Sequence, residues 1–549
     1  MLTYSQVDDF YPRRGDPRLL PLADLFSRAT YEQVDALLVD DSQGTVGGSF
    51  GGGPAAAMMM LNQASGTKIP GTPWLPIKGR ASTGSYAPAS NLARAVSTIG
   101  TIDISKYPPN FAGTAGSPIP IDVNNAASGF GIVITGDSIR VEHNLDMLCQ
   151  GQTDLITKDD TGWYAECIFA GCNNANIDGG TAASEGKIDW YRGNNEAMYF
   201  GSGAAASGSF ASSGLALNTI GVDVPAWFAG GPIPFVSSNY IAATFRASGA
   251  GKARIAAARL YNRNQPGWFV HVASEGGYHV IDAGSMYTTH SGCGPFLRAM
   301  FSRSRNKRPD VTFFGLGTND FFQGKTAAAF KTEFKTWLAW YYTQVGGVHP
   351  VVVLGEGFRG DTSSANYSTY LTQYQMQAGA IKEIIDEGEA QVFFYNGLLV
   401  ESNYYGTLGE SYLAGKTYLG DFSTLCAAAG SVAITQNVSY VSVRRNGHYQ
   451  FWLYTGATTT IGAGGVISSE RHGPGGDIDI GAPVSNSPLV SWQPIFLMFG
   501  RQGNLGPGAP NDFVHKCASG QQRDWELRTR VMLGACAATR FAPSRMTRN

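Results

Sequence analysis

The sequence is poor in charged residues: only 15% of its 549 residues are Asp, Glu, Lys or Arg, against about 25% in a typical soluble domain. Its formal net charge of −2 gives no reason to expect a nucleic acid partner. It also lacks an apolar run of about 18 residues, so no membrane-spanning helix is expected. Low charge together with 70 glycines is instead typical of β-rich extracellular or virion proteins.

The sequence lacks a regular cysteine pattern and a visible secretory signal. Its seven cysteines are odd in number and irregularly spaced, so we expect mostly reduced thiols. Cys167 and Cys172 form one C-x4-C without a second pair, and we therefore expect no metal site and no cofactor. The first residues have neither the basic nor the apolar region of a signal peptide. This combination fits a phage structural protein, which leaves the cell by lysis, or a mature sequence whose signal was removed.

The first stretch that indicates chemistry is an apolar run that ends in Gly-Asp-Ser. The β-branched residues at 131–134 predict a buried strand, and the tripeptide that ends with Ser138 predicts the turn after it. Open α/β sheets bind ligands at the carboxyl ends of their strands. Ser138 is therefore a candidate nucleophile, although the tripeptide alone is equally an ordinary turn.

Two later motifs follow in order. Residues 311–314 predict a second apolar strand, which a Gly-Thr-Asn-Asp turn containing Asn319 follows, and Asp512 and His515 form a D-x-x-H motif. Alone, Asn319 could simply close a turn, and Asp512 could cap a helix with His515 on the surface. Taken together in this order, the three motifs resemble those of the SGNH (GDSL-type) hydrolase family.

The resemblance implies a serine esterase that needs no cofactor. Ser138 would be the nucleophile, His515 the general base, and Asp512 the carboxylate that orients the imidazole. His515 comes three positions after Asp512, which places the two side by side on one loop or helical turn.

The resemblance also implies an oxyanion hole with three donors. They would be the backbone N–H of Ser138, the side-chain amide of Asn319 and the backbone N–H of a glycine after the predicted strand at residues 278–281. We expect Gly284 to be that glycine, and Gly292 is the alternative.

The predicted fold class is α/β: an SGNH-type three-layer α/β/α parallel sheet with two β-rich insertions and an irregular N-terminal arm. From residue 275 onward, predicted strands alternate with helices. The strands are 278–281, 311–314, 350–354 and 391–395, and the helices are 296–304, 327–342 and 370–387. The predicted segments are the arm (1–126), the core (127–150, 275–399 and 505–549), a β-sandwich-like insertion (151–274) and a second β-rich insertion (400–504).

The first 126 residues have little apolar periodicity beyond a short helix or two within residues 19–38, and glycine-rich breaks follow. We therefore expect an arm that docks on other virion proteins, and a homo-oligomer. The predicted function is removal of acetyl or other acyl groups from a cell-surface polysaccharide by a phage tail spike or fibre-like protein. The alternatives are a virion receptor-binding protein on an inactive scaffold and a secreted bacterial carbohydrate esterase.

Overall fold

The computed structural model describes part of the chain. The described residues are 9–41, 53–76, 89–90, 93–97, 138–144, 161–171, 187–192, 208–211, 218–224, 228–229, 239–248, 253–274, 279–280, 293–355, 367–389, 391–397, 400, 415–421, 432–445, 448–461, 471–472, 478–479, 492–495 and 518–540.

Within these residues the helices, besides a 3-10 turn at Pro17–Leu19, are α1 (Leu20–Arg28), α2 (Gly53–Ser65), α3 (Cys293–Phe301), α4 (Thr318–Phe322), α5 (Ala327–Val345), α6 (Tyr367–Asp386) and α7 (Ala518–Arg540). The strands are β1 (Phe10–Tyr11), β2 (Gln33–Asp40), β3 (Leu75–Pro76), β4 (Ala89–Ser90), β5 (Ala93–Ser97), β6 (Ser138–Asn144), β7 (Trp163–Gly171), β8 (Lys187–Arg192), β9 (Gly208–Ala211), β10 (Asn218–Asp223), β11 (Phe228–Ala229), β12 (Asn239–Ser248), β13 (Ala253–Asn262), β14 (Gly267–Ser274), β15 (Val311–Phe314), β16 (Val351–Leu354), β17 (Val392–Tyr395), β18 (Thr417–Asp421), β19 (Val432–Ile434), β20 (Ser439–Arg445), β21 (His448–Tyr454), β22 (Thr459–Ile461), β23 (Arg471–His472), β24 (Ile478–Asp479) and β25 (Trp492–Ile495). None of these helices is both long and apolar enough to cross a membrane.

A six-stranded sheet in the order β1-β17-β16-β15-β2-β14 carries the candidate site. All its strands are parallel except β1, which pairs antiparallel with β17. From β2 the chain goes to β14 on one side, and it then crosses to β15 on the other side. The direction of winding therefore reverses between β2 and β15, and the carboxyl ends of such a pair form the usual ligand crevice of open α/β sheets.

Alternate residues of the strands face two different apolar cores. Leu37, Val39 and Phe314 pack with residues of α3, α5 and α6, whereas Ala36 and Leu38 pack with residues of α1, α2 and α7. Because helices cover both faces, the strands are apolar along their length rather than alternating. The predicted mixed α/β class with parallel strands is confirmed.

The predictions for the second half of the sheet are confirmed closely. β15, β16, β17, α5 and α6 agree with the predicted elements to within three residues at each end. Local signals explain this agreement for α5: Thr326 caps its start by accepting a bond from the Ala329 N–H at 3.2 Å, and Gly346 ends it in the left-handed conformation.

The prediction of an irregular arm is wrong for the described part of residues 1–126. β2 lies inside the parallel sheet, between β14 and β15, and α1 and α2 pack against one face. The short helix expected within residues 19–38 is α1, and β2 occupies the later part of that range. Residues 36–39 are continuously apolar because their strand is buried on both faces, so they show no period of two.

Antiparallel sheets account for most described residues of 151–274, as predicted. One has the order β10-β7-β13-β3, and another has the order β4-β5-β6-β12-β8-β9, with β11 paired to β12. β14 was wrongly assigned to this segment, because it pairs in parallel with β2. The predicted strand at 278–281 is also wrong at Val280, which has helical backbone. In the later β-rich segment, β20 and β21 form the antiparallel pair that the hairpin signal predicts.

A buried group of charged residues joins the parallel sheet to the antiparallel sheet. Trp74 donates its backbone N–H to His271 Nδ1 at 3.0 Å, so the proton of the neutral ring is on Nε2 and points to Asp35, 2.9 Å away. Arg259 donates to the buried Glu166 and lies 3.7 Å from Asp35. Burial lowers the pKa of His271. Burial would raise the pKa of Asp35, but the bond from His271 and the charge of Arg259 bring it below its usual value.

Candidate active site

The candidate site is the crevice at the carboxyl ends of β2 and β15. Phe314 lies opposite Val39, and the next N–H, that of Gly315, donates to the carbonyl of Val39 at 2.8 Å. The two strands therefore stay paired to their last residues. Asp40 ends β2, and the turn before α4 starts at Gly315.

Two buried carboxylates follow the apolar part of β2. Asp40 and Asp41 are 4% and 2% exposed, and the Asp41 N–H donates to Asp40 Oδ1 at 2.8 Å. A β-carbon on Gly315 would lie 2.5 Å from that same oxygen, so only glycine allows the turn to approach so closely. Within the described residues no group of three or more His, Cys, Asp or Glu side chains could hold a metal ion.

Asn319 reaches from the first turn of α4 to this carboxylate pair. Its Nδ2 donates to Asp41 Oδ2 at 3.1 Å. The flanking Thr318 and Asp320 are buried, whereas Asn319 is partly exposed. The turn thus presents one partly exposed amide, whose plane Asp41 fixes.

The turn itself is held from α6. Gly317 has φ +140°, a conformation that favours glycine. Gln377, which is 1% exposed, donates to the carbonyl of Leu316 at 3.1 Å, and Gln373 donates to the carbonyl of Phe321 at 2.7 Å. Two glutamines one helical turn apart therefore satisfy carbonyls on either side of Asn319.

Ser138 does not lie in this crevice turn. It is the first residue of β6 and pairs with Arg246 of β12 in an antiparallel sheet, rather than in a loop at the edge of the parallel sheet. The apolar run at 131–134 lies outside the described residues. Asn319 thus follows a strand of the parallel sheet, whereas Ser138 begins a strand of an antiparallel sheet.

The remaining predicted site residues, Gly284, Gly292, Asp512 and His515, lie outside the described residues, so their roles stay predictions.

The helix that follows Asp512 and His515 in the chain, α7, packs near the parallel sheet. The guanidinium of Arg528 lies 6.0 Å from the ring of Tyr395, the last residue of β17. Gly534 lies beside the guanidinium of Arg14, which pairs with Asp9, the residue before β1.

The sequence carries one signal at the crevice that was missed. Directly after Asp40 and Asp41 comes Ser42, so an Asp-Ser pair follows an apolar run here as it does at Ser138. Ser42 itself lies outside the described residues. Its neighbour in the sequence, Asp41, is the residue that Asn319 contacts.

No protein-family model matches the sequence, and no curated protein matches it. Among solved structures, the chain is similar to a peptidoglycan O-acetylesterase, with 10% identity, 71% of this chain and 85% of that chain covered, and a TM-score of 0.40. It is also similar to a family two carbohydrate esterase from Clostridium thermocellum (10% identity, 47% and 81% covered, TM-score 0.20) and to one from Cellvibrio japonicus (8% identity, 47% and 79% covered, TM-score 0.19). These TM-scores lie below 0.5, so we base the proposed function on the sequence and on contacts within this chain.

Proposed function

We propose that the chain is a serine carboxylic ester hydrolase of the SGNH type, with a three-layer α/β/α core, and that Ser42 is its nucleophile. The observation that carries this proposal is the contact between Asn319 and Asp41 at the switch point of the parallel sheet. The Gly-Thr-Asn-Asp turn is one of the three motifs that resemble the family, and Asp41-Ser42 repeats the last two residues of another, Gly-Asp-Ser. This contact links the two.

The proposed mechanism needs only residues of this chain. Ser42 Oγ would attack the ester carbonyl, and His515, oriented by Asp512, would take the serine proton and return it to the leaving alcohol. The acyl group would remain on Ser42 until water, activated by the same imidazole, releases it. The amide of Asn319 would donate to the oxyanion, and its bond to Asp41 holds that amide in a fixed plane before the reaction begins.

The finer proposal is that the substrate is a polysaccharide carrying acetyl or other small acyl groups. The antiparallel sheets of β3 to β13 support it, because they add a large β-rich body that is anchored to the parallel sheet through Arg259 and Asp35. An esterase of small soluble esters needs no such body. The location on a phage particle stays a prediction.

The test is hydrolysis of p-nitrophenyl acetate by the wild type and three single-residue variants. Ser42→Ala should lower kcat by about 10³-fold or more, since the nucleophile is removed, and Asn319→Ala should lower it by about 10²-fold. Ser138→Ala should keep the wild-type rate. Loss of activity in Ser138→Ala alone would restore the first assignment, and an inactive wild type would favour a binding protein on an SGNH-like scaffold.

A further inference from the structure

Asp320, the residue after Asn319, is a fully buried carboxylate with an unusual set of partners. Its Oδ1 and Oδ2 lie 3.2 Å and 3.0 Å from the backbone nitrogen of Val280, which donates to both. The Lys325 ammonium pairs with Oδ1. A carboxylate is buried only at a cost unless it is paired and hydrogen-bonded, and these partners meet that requirement.

Asp320 and Val280 belong to segments that follow two different strands of the parallel sheet. Val280 lies in the segment after β14, and Asp320 lies in the turn after β15. β14 and β15 are the two neighbours of β2 in the sheet. The carboxylate therefore joins the segments that leave the strands on either side of β2, next to the crevice where Asp41 contacts Asn319.

We propose that Asp320 is a positioning residue, which holds the backbone after β14 against the turn that carries Asn319. This inference rests on the proposed function. In the proposed mechanism, the oxyanion accepts one hydrogen bond from the amide of Asn319 on one side and one from a backbone N–H, predicted at Gly284, on the other. Donors on two separate segments keep a fixed separation only if something joins the segments, and misplacement by about 1 Å lowers rates by about 100-fold.

The side chains around Asp320 provide a matched control. Lys325 pairs with Asp320 and also with Glu333. Burial would lower the pKa of Lys325, but its bonds to these two carboxylates raise it above its usual value. Glu333 is partly exposed and shares the same ammonium, and no contact to Val280 is described for it. Glu333→Gln thus weakens the ion pair without touching the junction, whereas Asp320→Asn removes the charge and one of the two oxygens that face the Val280 N–H.

The first measurement is hydrogen–deuterium exchange on the whole protein, which does not depend on activity. In Asp320→Asn, peptides that contain Val280 should exchange at least about tenfold faster, since the bond that protects this amide is weakened. In Glu333→Gln their exchange should match the wild type. Unchanged exchange at Val280 in Asp320→Asn would overturn the proposal.

The second measurement separates positioning from a merely structural role. Asp320→Asn should lower kcat on p-nitrophenyl acetate by about 10- to 100-fold with KM nearly unchanged, since donors to the transition state are displaced. In the Asn319→Ala background the same substitution should have a clearly smaller effect, because both changes act on one oxyanion hole. A normal kcat in Asp320→Asn would overturn the inference about Asp320 but not the proposed function. So would a double variant whose loss of kcat equals the product of the losses in the two single variants. An inactive wild type would instead refute the proposed function.

Discussion

Gly317 offers a sharp test of how the candidate site is held together. Its φ of +140° is strained for any residue with a β-carbon, at about 1–3 kcal/mol. A β-carbon there would also lie 2.3 Å from Nε2 of the buried Gln377. Gln377 would have to move, and its bond to the carbonyl of Leu316 would break. Leaving that carbonyl unpaired costs about 1–3 kcal/mol more, so Gly317→Ala should destabilise the fold by about 2–6 kcal/mol.

Gly324 is the matched control for this substitution. It has φ +78° in the same short region, but a β-carbon there would meet nothing within 4 Å. Gly324→Ala should therefore cost only the backbone strain, about 1–2 kcal/mol. The difference between the two variants contains the collision with Gln377 and the extra backbone strain at φ +140°.

The two variants are compared by urea unfolding of the whole protein, monitored by near-UV circular dichroism. The shift of the urea concentration at the midpoint of unfolding reports the change in stability. Gly317→Ala should shift the midpoint clearly more than Gly324→Ala. Adding Gln377→Ala to Gly317→Ala should cost less than the sum of the single changes, because the small side chain leaves room for the β-carbon. Equal shifts in the two glycine variants would refute the role of Gln377 in holding the turn.

Two further predictions concern buried ionisable groups away from the crevice. Burial lowers the pKa of His349 to about 4, below the value of about 6.5 in the unfolded chain. The unfolded chain therefore binds the proton more tightly, so the contribution of His349 to the free energy of unfolding is full above pH 6.5 and falls by about 3 kcal/mol as the pH drops to 4. Acid titration of unfolding should show this slope in the wild type and lose it in His349→Gln, and an identical slope in both proteins would contradict it. Arg259→Met should cost about 3–5 kcal/mol because it removes the buried cation beside Asp35 and Glu166, and leaves Glu166 only the partly exposed Arg303 at 3.5 Å. Arg263→Met, which breaks a pair with the exposed Asp223, should cost less than about 1 kcal/mol. Equal losses of thermal stability in the two variants would show that burial does not determine how much an ion pair contributes.

The regular part of the fold was predictable because its signals are local. β15 to β17 are short apolar runs bounded by turn residues, and α5 and α6 have an apolar face of helical period. β2 was missed and β14 was assigned to the wrong sheet for the same physical reason: an apolar run of a few residues does not reveal which strand it pairs with. β14 forms a parallel pair with β2 although it follows a series of antiparallel strands. Only the completed sheet shows whether such a run pairs in parallel or antiparallel.

The position of Asn319 was predictable, whereas Ser42, the nucleophile that we propose, was not. Asn319 follows the strand that the sequence predicts, and the structure places it at the crevice. The choice between Ser42 and Ser138 depends on which apolar run joins the parallel sheet, and in sequence both runs end in Asp-Ser. Hundreds of residues separate Asn319 from Asp41, so their contact leaves no local signal.

The most direct test of the central claim is to label the nucleophile. The wild type and Ser42→Ala would be treated with a fluorophosphonate, which reacts with activated serines, and the tryptic peptides analysed by mass spectrometry. Ser42 lies in the peptide 29–68 and Ser138 in the peptide 107–140, so the two are separated cleanly. We predict that the label is on Ser42 and that Ser42→Ala remains unlabelled. A label on Ser138, with Ser42 unmodified, would contradict the placement of the active site at the ends of β2 and β15.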